Sequence, residues 1–431
     1  MNDHNLIIRA LKNAETNTEK IAALMFIAKR LSSDVNGEIK TKIFNLIDDR
    51  FLLESLNNYR DGNDEYEFSI HISAYFFHEI INHQNRNQFI QIFCEILSFI
   101  CKENRRIQHE EIVETIFDCL EYGYHNLSLF DEMFLFDLIF NNLIINCYTP
   151  GTTMEHRIAN IMIILIQNSK SNEKFMEKIC QFFIMDKSMK KFHLCKLIGF
   201  IIRNGPWNCQ QIIDSQWITI IRDEIFILFQ NRLTDELRNS IIDLSTELTM
   251  KFEGIDWIKL KQWKSDNSKF FILLLKLIAI ELEIIWSQST NWPKSMIDND
   301  GKVEHYTRCM VIFEYILFTL IKNVDLDNVP DDEQLKLNAN EIINSINTIQ
   351  QTVSQLIQFL SQAFADNDQC RTEIKQMIIP SLRFLCVYVK EENEIFRDEI
   401  DQLKPFIMKF LDQNDSEIEK LRDLIENINF N

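Results

Sequence analysis

The chain has 431 residues, of which 46% are hydrophobic and 25% are charged, so it has the composition of a folded protein and not of a disordered one. With only 8 glycines and 6 prolines, it lacks the turn-forming residues that hairpin-rich folds and glycine-built phosphate loops require. The net charge of −19 repels a nucleic-acid backbone, so it predicts no nucleic-acid binding, and it favours either a basic protein partner or simply solubility.

The first helix signal is a possible capping box at the N-terminal end of the chain. Thr16 and Glu19 have the spacing at which each side chain can accept a hydrogen bond from the free backbone N–H of the other residue. The apolar residues that follow share one helical face, and they are Ile21, Leu24, Met25 and Ala28.

The most complete helix signal begins at Thr234. Asp235 and Glu236 place negative charge in the first turn, where the helix dipole favours it. Apolar residues then recur every three or four positions, which predicts one buried face made of Leu237, Ile241, Leu244, Leu248 and Phe252.

Two further apolar stripes predict a pair of helices near the C-terminus. The first stripe consists of Ile378, Leu382, Leu385 and Val389. The second consists of Phe396, Ile400, Leu403, Ile407 and Phe410. Because the polar segment between them is short, we predict an antiparallel pair that caps the helical stack.

Three polar segments interrupt the helical stretches, near residues 60–67, 287–306 and 324–333. No long linker rich in proline, glycine or serine divides the chain, so we predict one domain over residues 1–431. Many helices, short loops and no strand signals predict an all-α fold, namely an irregular α-solenoid of stacked helix pairs of the armadillo or HEAT type. A compact multi-helix domain is the alternative.

The apolar run from Phe270 to Trp286 is the best candidate for a membrane span. It contains Lys276, Glu281 and Glu283, and each charge near the centre of a bilayer costs about 3 kcal/mol. We therefore predict a buried helix of a protein without a transmembrane segment.

The ten cysteines predict a reducing environment. They are spread from Cys94 to Cys386 without any CxxC pair, and most lie in apolar runs, as small buried hydrophobic residues do. Residues 1–10 lack the pattern of a signal peptide. Together these features predict a cytoplasmic protein.

His78 and Glu79 resemble the start of a zinc-protease HExxH motif. The next histidine, His83, is one residue too far along, which rotates it about 100° away from the face that carries His78. No glycine pattern for a nucleotide and no nucleophile motif is present. The sequence therefore predicts no enzyme, no metal site and no cofactor.

All six tryptophans lie between Trp207 and Trp292. Armadillo proteins that bind extended basic peptides carry Trp and Asn one helical turn apart, and Trp263 and Asn267 have this spacing. The other tryptophans do not, so we interpret the tryptophans as core and loop anchors, with a peptide groove as the alternative.

Four stretches are similar to segments of one known family, in the same order along nearly the whole chain. Residues 23–44 are similar to the family's first repeat, and residues 192–202 to its Lys-Phe-x-Leu-Cys-x-Leu-Leu segment. Asp256-Trp257 and the segment 268–283 are similar to its Asp-Trp-Ile and Ser-Lys-Phe-Leu elements. Residues 381–406 are similar to its Arg-Ile-Leu, Glu-Glu and Gln-Leu-Leu-Pro-Phe ending. The chain thus resembles the neurochondrin family.

The resemblance implies a cytosolic helical regulator that is not an enzyme. Members of the family support neurite outgrowth and synaptic plasticity, restrain calcium/calmodulin-dependent protein kinase type II, bind receptor tails, and are found in cell bodies and dendrites. Vertebrate-type members can be palmitoylated on early cysteines. This chain departs from them, since its first cysteine is Cys94.

Acidic residues of two loops are the predicted partner-binding residues, because their charge would attract a basic partner. They are Asp64, Glu65, Asp331, Asp332 and Glu333. The alternative function is that of an armadillo-type transport or trafficking adaptor for basic cargo peptides.

Overall fold

The computed structural model describes the greater part of the chain. The described residues are 3–30, 37–47, 49–82, 84–102, 110–125, 137–138, 140, 144, 153–168, 172–185, 190–207, 215–252, 257–258, 267–289, 300–324, 335–365, 375–392, 394–411 and 422. Within them the backbone forms α-helices, one short 3-10 helix and no strand. The predicted all-α fold is confirmed.

Residues Met1–Phe175 form one compact unit. Its helices are α1 (Asp3–Asn13), α2 (Asn17–Arg30), α3 (Gly37–Phe44), α4 (Asp49–Arg60), α5 (Phe68–Tyr75), α6 (Phe77–Ile81), α7 (Arg86–Lys102), α8 (Glu110–His125) and α9 (Thr153–Asn168). Helix α2 packs on α5, α5 on α8, and α8 on α9, while α4 packs on α7. Within this unit, equivalent helices of successive pairs therefore stack on one another.

Residues Met176–Asn431 form the second compact unit. Helix α10 (Asn172–Met185) begins just before its boundary, and the following helices are α11 (Lys190–Asn204), α12 (Gln216–Phe229), α13 (Asp235–Lys251), α14 (Asn267–Ser289), α15 (Asp300–Val324), α16 (Ala339–Ala365), α17 (Lys375–Glu391) and α18 (Arg397–Leu411). In one layer α11, α13, α15 and α17 pack in series, and in the other α12, α14, α16 and α18 do so. This two-layered stacking is the predicted α-solenoid arrangement.

The predicted apolar stripes form the core of the second unit. In α13, Ile241, Leu244, Leu248 and the adjoining Phe252 are buried, while Leu237 is half-buried. All four residues of the stripe in α17 are buried. In the last stripe Phe396 is half-buried, and the other four residues are buried where α18 packs on α16.

Three of the tryptophans are buried, as expected of core residues. Trp217 and Trp257 are fully enclosed, and Trp286 stacks on Phe359 with 6.3 Å between the ring centroids. Trp263 and Trp292 lie outside the described residues.

The capping box at the start of α2 is confirmed. The Glu19 carboxylate accepts hydrogen bonds from the backbone N–H groups of Thr16 at 3.0 Å and Glu15 at 2.8 Å, and Thr16 Oγ1 accepts one from the Glu19 N–H at 3.3 Å. The backbone donors of Thr16 and Glu15 lower the pKa of Glu19.

The second of the three expected loops is shorter than predicted. Helix α14 continues to Ser289 and α15 starts at Asp300, so the segment expected over 287–306 is partly helical. Asp300 belongs to a segment typical of turns, but aspartate is also favoured in the first turn of a helix. Val324 ends α15, and the rest of the segment 324–333 lies outside the described residues.

The candidate membrane segment lies in α14. Phe270, Leu274 and Ile278 are buried against neighbouring helices, as predicted. No helix in the described part of the chain is long and apolar enough to cross a bilayer.

Candidate functional site

The predicted partner-binding residues of the first loop lie between α4 and α5. The chain turns at Gly62, whose φ of +97° is left-handed and suits glycine. Asp64–Tyr66 then forms the 3-10 helix, in which Glu65 is exposed and its backbone N–H donates to Asn63 Oδ1 at 3.2 Å. The Asp64 side chain is outside the described set.

The other three predicted residues, Asp331, Asp332 and Glu333, also lie outside the described residues. The role of the acidic loops in binding stays a prediction.

A cleft lies elsewhere in the first unit, between α3, α5, α6 and α8. It has a volume of about 440 Å³, and its lining comes from all four of these helices. The lining residues are Lys40, Ala74, Tyr75, Phe77, His78, Thr115, Asp118, Cys119 and Tyr122. Its edge opens to solvent, because His78, Asp118 and Tyr122 are exposed.

Aromatic rings build the walls of this cleft. The ring of Tyr122 lies 6.5 Å from that of Phe77, edge to face, and 6.2 Å from the imidazole of His78. Phe77 is buried and stacks on Phe93 at 5.9 Å, which anchors the short helix α6 in the core. A Cβ at Gly123 would lie 3.3 Å from the Phe77 ring, so glycine at this position permits the close approach of α8 to Phe77.

A positive charge already lies inside the cleft. Lys40 Nζ is positioned over the ring of Tyr75 at 4.5 Å from the centroid, which is a cation–π contact. Burial, and next the negative charge of Glu79, raise the pKa of the Tyr75 phenol, so the ring stays neutral. Glu79 Oε2 is buried without a hydrogen-bond partner among the described residues.

One face of α8 supplies negative charge beside the cleft. Glu114, Asp118 and Glu121 all bind the guanidinium of Arg157 on α9, with 2.6 Å from Nη2 to Asp118 Oδ1 and 3.0 Å from Nε to Glu121 Oε1. Three carboxylates around one guanidinium leave an excess of negative charge. Arg157 is only 16% exposed, whereas Asp118 is 75% exposed and lines the cleft.

The cleft contains no activated thiol. Its one thiol, Cys119, is buried, and burial raises its pKa to about 12, so it is not a thiolate at neutral pH. His78, which starts the sequence resembling a zinc-protease motif, lies at the edge of the cleft, while His83 lies outside the described residues. Within the described part of the chain, no group of three or more potential ligands is arranged to hold a metal.

The second unit contains a partly buried cluster that resembles a catalytic group in composition only. His305 Nε2 lies 3.5 Å from Glu281 Oε2 and 3.7 Å from Cys309 Sγ. Because both contacts use the same ring nitrogen, the histidine cannot relay a proton between the two groups as a catalytic triad does. Cys309 is fully buried, which raises the pKa of its thiol well above the usual value.

Asn267, half of the predicted Trp–Asn pair, points to the protein interior. Its Oδ1 accepts a hydrogen bond from Nη2 of the fully buried Arg222 at 2.7 Å. The amide oxygen is therefore engaged in helix packing, and Trp263, the other half of the pair, lies outside the described residues.

Apart from His78, no residue of the cleft stands out in the sequence as a site residue. Lys40, Tyr75 and Tyr122 are far apart in sequence and meet only because α3, α5, α6 and α8 pack together. A local signal exists on α8, where Thr115, Asp118 and Tyr122 follow each other at spacings of three and four and place polar and aromatic groups on one face.

Comparisons with known proteins point to one family. A sequence model of the family, described as Neurochondrin, matches residues 164–429. The chain is 20% identical to neurochondrin of Gallus gallus over 420 residues, which cover 94% of this chain and 56% of that protein. It is 21% identical to neurochondrin of Homo sapiens over 240 residues, 55% of this chain and 28% of that protein. The chain thus spans about half the length, or less, of these relatives.

Solved structures align with the chain only at low similarity. The crystal structure of SYS-1 aligns with 98% of this chain and 80% of that chain, at 10% identity and a TM-score of 0.37. A structure of Kap95p with RanGDP aligns with 99% of this chain and 62% of that chain, at 9% identity and a TM-score of 0.36.

Proposed function

Because the chain belongs to the neurochondrin family, we propose that it is a regulatory scaffold that binds other proteins and catalyses no reaction. The observation that carries this proposal is the open, aromatic-walled cleft between α3, α5, α6 and α8. It offers apolar surface, a resident cation and an acidic rim, which are features of a recognition site, and its buried Cys119 is not activated as a nucleophile.

The finer proposal follows from the family. The partners are a calcium/calmodulin-dependent protein kinase, whose signalling the protein restrains, and the basic tails of receptors. The cellular role is in neuron projection development and synaptic plasticity, and the location is the cytoplasm, including dendrites.

Net charge supports a basic partner. At −19 the chain attracts positive segments over a distance set by the ionic strength. In this proposal the acidic loops, with Asp64 and Glu65 in the first and Asp331, Asp332 and Glu333 in the second, speed the encounter with the partner.

The experiment is a binding measurement between the purified chain and two immobilised ligands, the kinase and a basic receptor-tail peptide. We expect saturable binding whose association rate falls as salt rises, because the screening length decreases from about 10 Å at 0.1 M to about 3 Å at 1 M. We also expect mass spectrometry to recover both ligands chemically unchanged. Absence of binding to either ligand contradicts the proposal, and so does turnover of a ligand.

A variant separates the loops from the rest of the surface. In it Asp64, Asp331 and Asp332 are replaced by Asn, and Glu65 and Glu333 by Gln. We expect slower association with little change in dissociation, since exposed charges act mainly on the encounter. An unchanged association rate removes the loops from the mechanism and leaves the scaffold proposal standing.

A further inference from the structure

We propose that the cleft between α3, α5, α6 and α8 binds the cationic side chain of an arginine or lysine in a basic peptide segment, and that Lys40 occupies this position until the peptide displaces it. The inference rests on the proposed function, because it takes the peptide to be part of a bound protein. It adds the location of the site, the chemistry of its ligand and an internal competitor.

Lys40 shows how the cleft accommodates a cation. Its Nζ lies 4.5 Å from the centroid of the Tyr75 ring, inside the range of about 6 Å in which a ring face attracts an ammonium or guanidinium group. Tyr122 presents a second ring to the same cleft and is 43% exposed, so an incoming side chain can reach it. A guanidinium stacks on such rings better than an ammonium does, which favours arginine over the resident lysine.

The acidic rim supplies the hydrogen-bond acceptors that a guanidinium requires. Asp118 lines the cleft, is 75% exposed, and offers its carboxylate to solvent despite its bond to Arg157. Glu114 and Glu121 share the same arginine, so its one positive charge does not neutralise this face of α8. Glu79 adds a further carboxylate close enough to Tyr75 to raise the pKa of its phenol. A cation entering the cleft is therefore stabilised by both rings and carboxylates.

The cleft is large enough to admit a long side chain. A volume of about 440 Å³ is within the range of about 300–1,000 Å³ found for ligand pockets. Because the exposed residues His78, Asp118 and Tyr122 form its edge, the backbone of a polypeptide can remain outside while one side chain enters.

The first test uses a fluorescein-labelled peptide, Gly-Ser-Gly-Leu-Arg-Leu-Gly-Ser-Gly, and a second peptide with citrulline, which is neutral and similar in shape, in place of arginine. Titrating the intact chain into each peptide and following fluorescence polarisation measures both affinities. We expect the citrulline peptide to bind about tenfold more weakly or worse, because charge-assisted and cation–π contacts are lost. Equal affinity for the two peptides overturns the inference.

The second test uses substitutions whose effects have opposite signs. Tyr122→Leu should weaken binding of the arginine peptide about two- to fivefold, because one ring is lost. Lys40→Gln should strengthen it by a similar factor, because the competitor leaves Tyr75. Tyr122→Leu could weaken binding simply by destabilising the unit, but loss of folding cannot produce tighter binding. Unchanged or weaker binding by Lys40→Gln therefore contradicts the inference.

Matched controls lie in the second unit. Phe406→Leu removes a ring that is 44% exposed on α18, and Lys276→Gln removes an exposed charge on α14. Neither should change the affinity. If Lys276→Gln strengthens binding as much as Lys40→Gln, the effect is one of net charge and the inference is wrong.

The same variants distinguish this inference from the proposed function. If the wild-type chain binds the kinase or the receptor tail and the cleft variants bind equally well, the inference fails and the proposed function stands. If the arginine peptide binds with the expected signs and neither protein partner binds, the proposed function fails while the assignment of the cleft stands.

Discussion

A single carboxylate organises the start of α2. Glu19 accepts hydrogen bonds from the N–H groups of Glu15 and Thr16, which have no partner within the helix. The ionised carboxylate accepts these hydrogen bonds more strongly than the neutral carboxyl group does. Its pKa is therefore lowered, and its contribution to stability is present above the pKa of an unfolded glutamate and is lost as the pH falls through the lower, folded value.

We expect the Glu19 carboxyl to titrate at a lower pH in the folded chain than in the unfolded chain, as followed by carboxyl-carbon NMR. Substitution of Glu15 or Thr16 does not remove the donors, because they are backbone N–H groups. The control is therefore the unfolded chain, in which the titration midpoint of Glu19 should return to the ordinary value of a glutamate. A folded midpoint at or above that ordinary value would show that the capping box does not form.

Burial controls the thiols of the described cysteines. Cys119 and Cys386 lie inside the helical stacks, and burial raises the pKa of each to about 12. We expect iodoacetamide at pH 8 to leave both unlabelled in the folded chain and to label both after denaturation, as read by peptide mass spectrometry. Rapid labelling of Cys119 in the folded chain would mean that its thiol is reachable by solvent and partly ionised at this pH.

Sequence reasoning succeeds for residues whose environment is set locally. The capping box of Thr16 and Glu19 and the burial of Cys94 follow from their immediate neighbours. It fails for Lys40 and Tyr75, because these two residues lie 35 positions apart in the sequence and no local pattern on either helix specifies their contact.

Helix α17 carries the most direct test of the predicted helix register. Leu385 is 3% exposed, and its neighbour Phe384 stacks on Phe313 of α15 at 4.7 Å. Leu385→Asp should lower the free energy of unfolding by about 3 kcal/mol or more, because it places an unpaired charge among apolar groups. Thermal or denaturant unfolding measures this.

The matched control is Met408→Asp on α18, where the side chain is 47% exposed. We expect it to change stability by no more than about 0.5 kcal/mol. Equal effects of the two substitutions would show that the assignment of buried and exposed faces is wrong.

Ion pairs connect successive helices of one layer in the second unit. Arg203 on α11 binds Glu247 on α13, Arg308 on α15 binds Asp243 on α13, and Arg383 on α17 binds Glu314 on α15. The Glu247 side chain also packs closely on α11 at Gly199. A Cβ added to Gly199 would lie 3.3 Å from Glu247 Cγ. Each step of the layer thus has a polar connection in addition to its apolar core.

Glu247→Gln should destabilise the chain by about 1–3 kcal/mol, because the buried carboxylate loses its charge-assisted bonds to Arg203. Glu283→Gln on the exposed face of α14 is the control and should be close to neutral. Denaturant unfolding measures the free energy of unfolding of both variants. If Glu247→Gln leaves it unchanged, the ion pair with Arg203 does not stabilise the fold.

At the scale of the whole molecule, the helical stacks could be predicted from the sequence and the cleft could not. Recurring apolar stripes, such as Ile378 to Val389, and the scarcity of turn residues specify helices that bury one face each. The position of a cleft depends on how helices of uneven length meet, as the five-residue α6 does beside α8. Sequence periodicity contains no information about that meeting.

The central claim is that the chain binds a basic protein segment in the cleft of its first unit. Hydrogen–deuterium exchange of the full chain, with and without the kinase or the receptor-tail peptide, tests it most directly. We predict slower exchange in the peptides that contain Lys40, Tyr75 to His78 and Thr115 to Tyr122, and a smaller effect in Tyr122→Leu. Binding that leaves these three segments unchanged and protects only other parts of the chain would contradict the account.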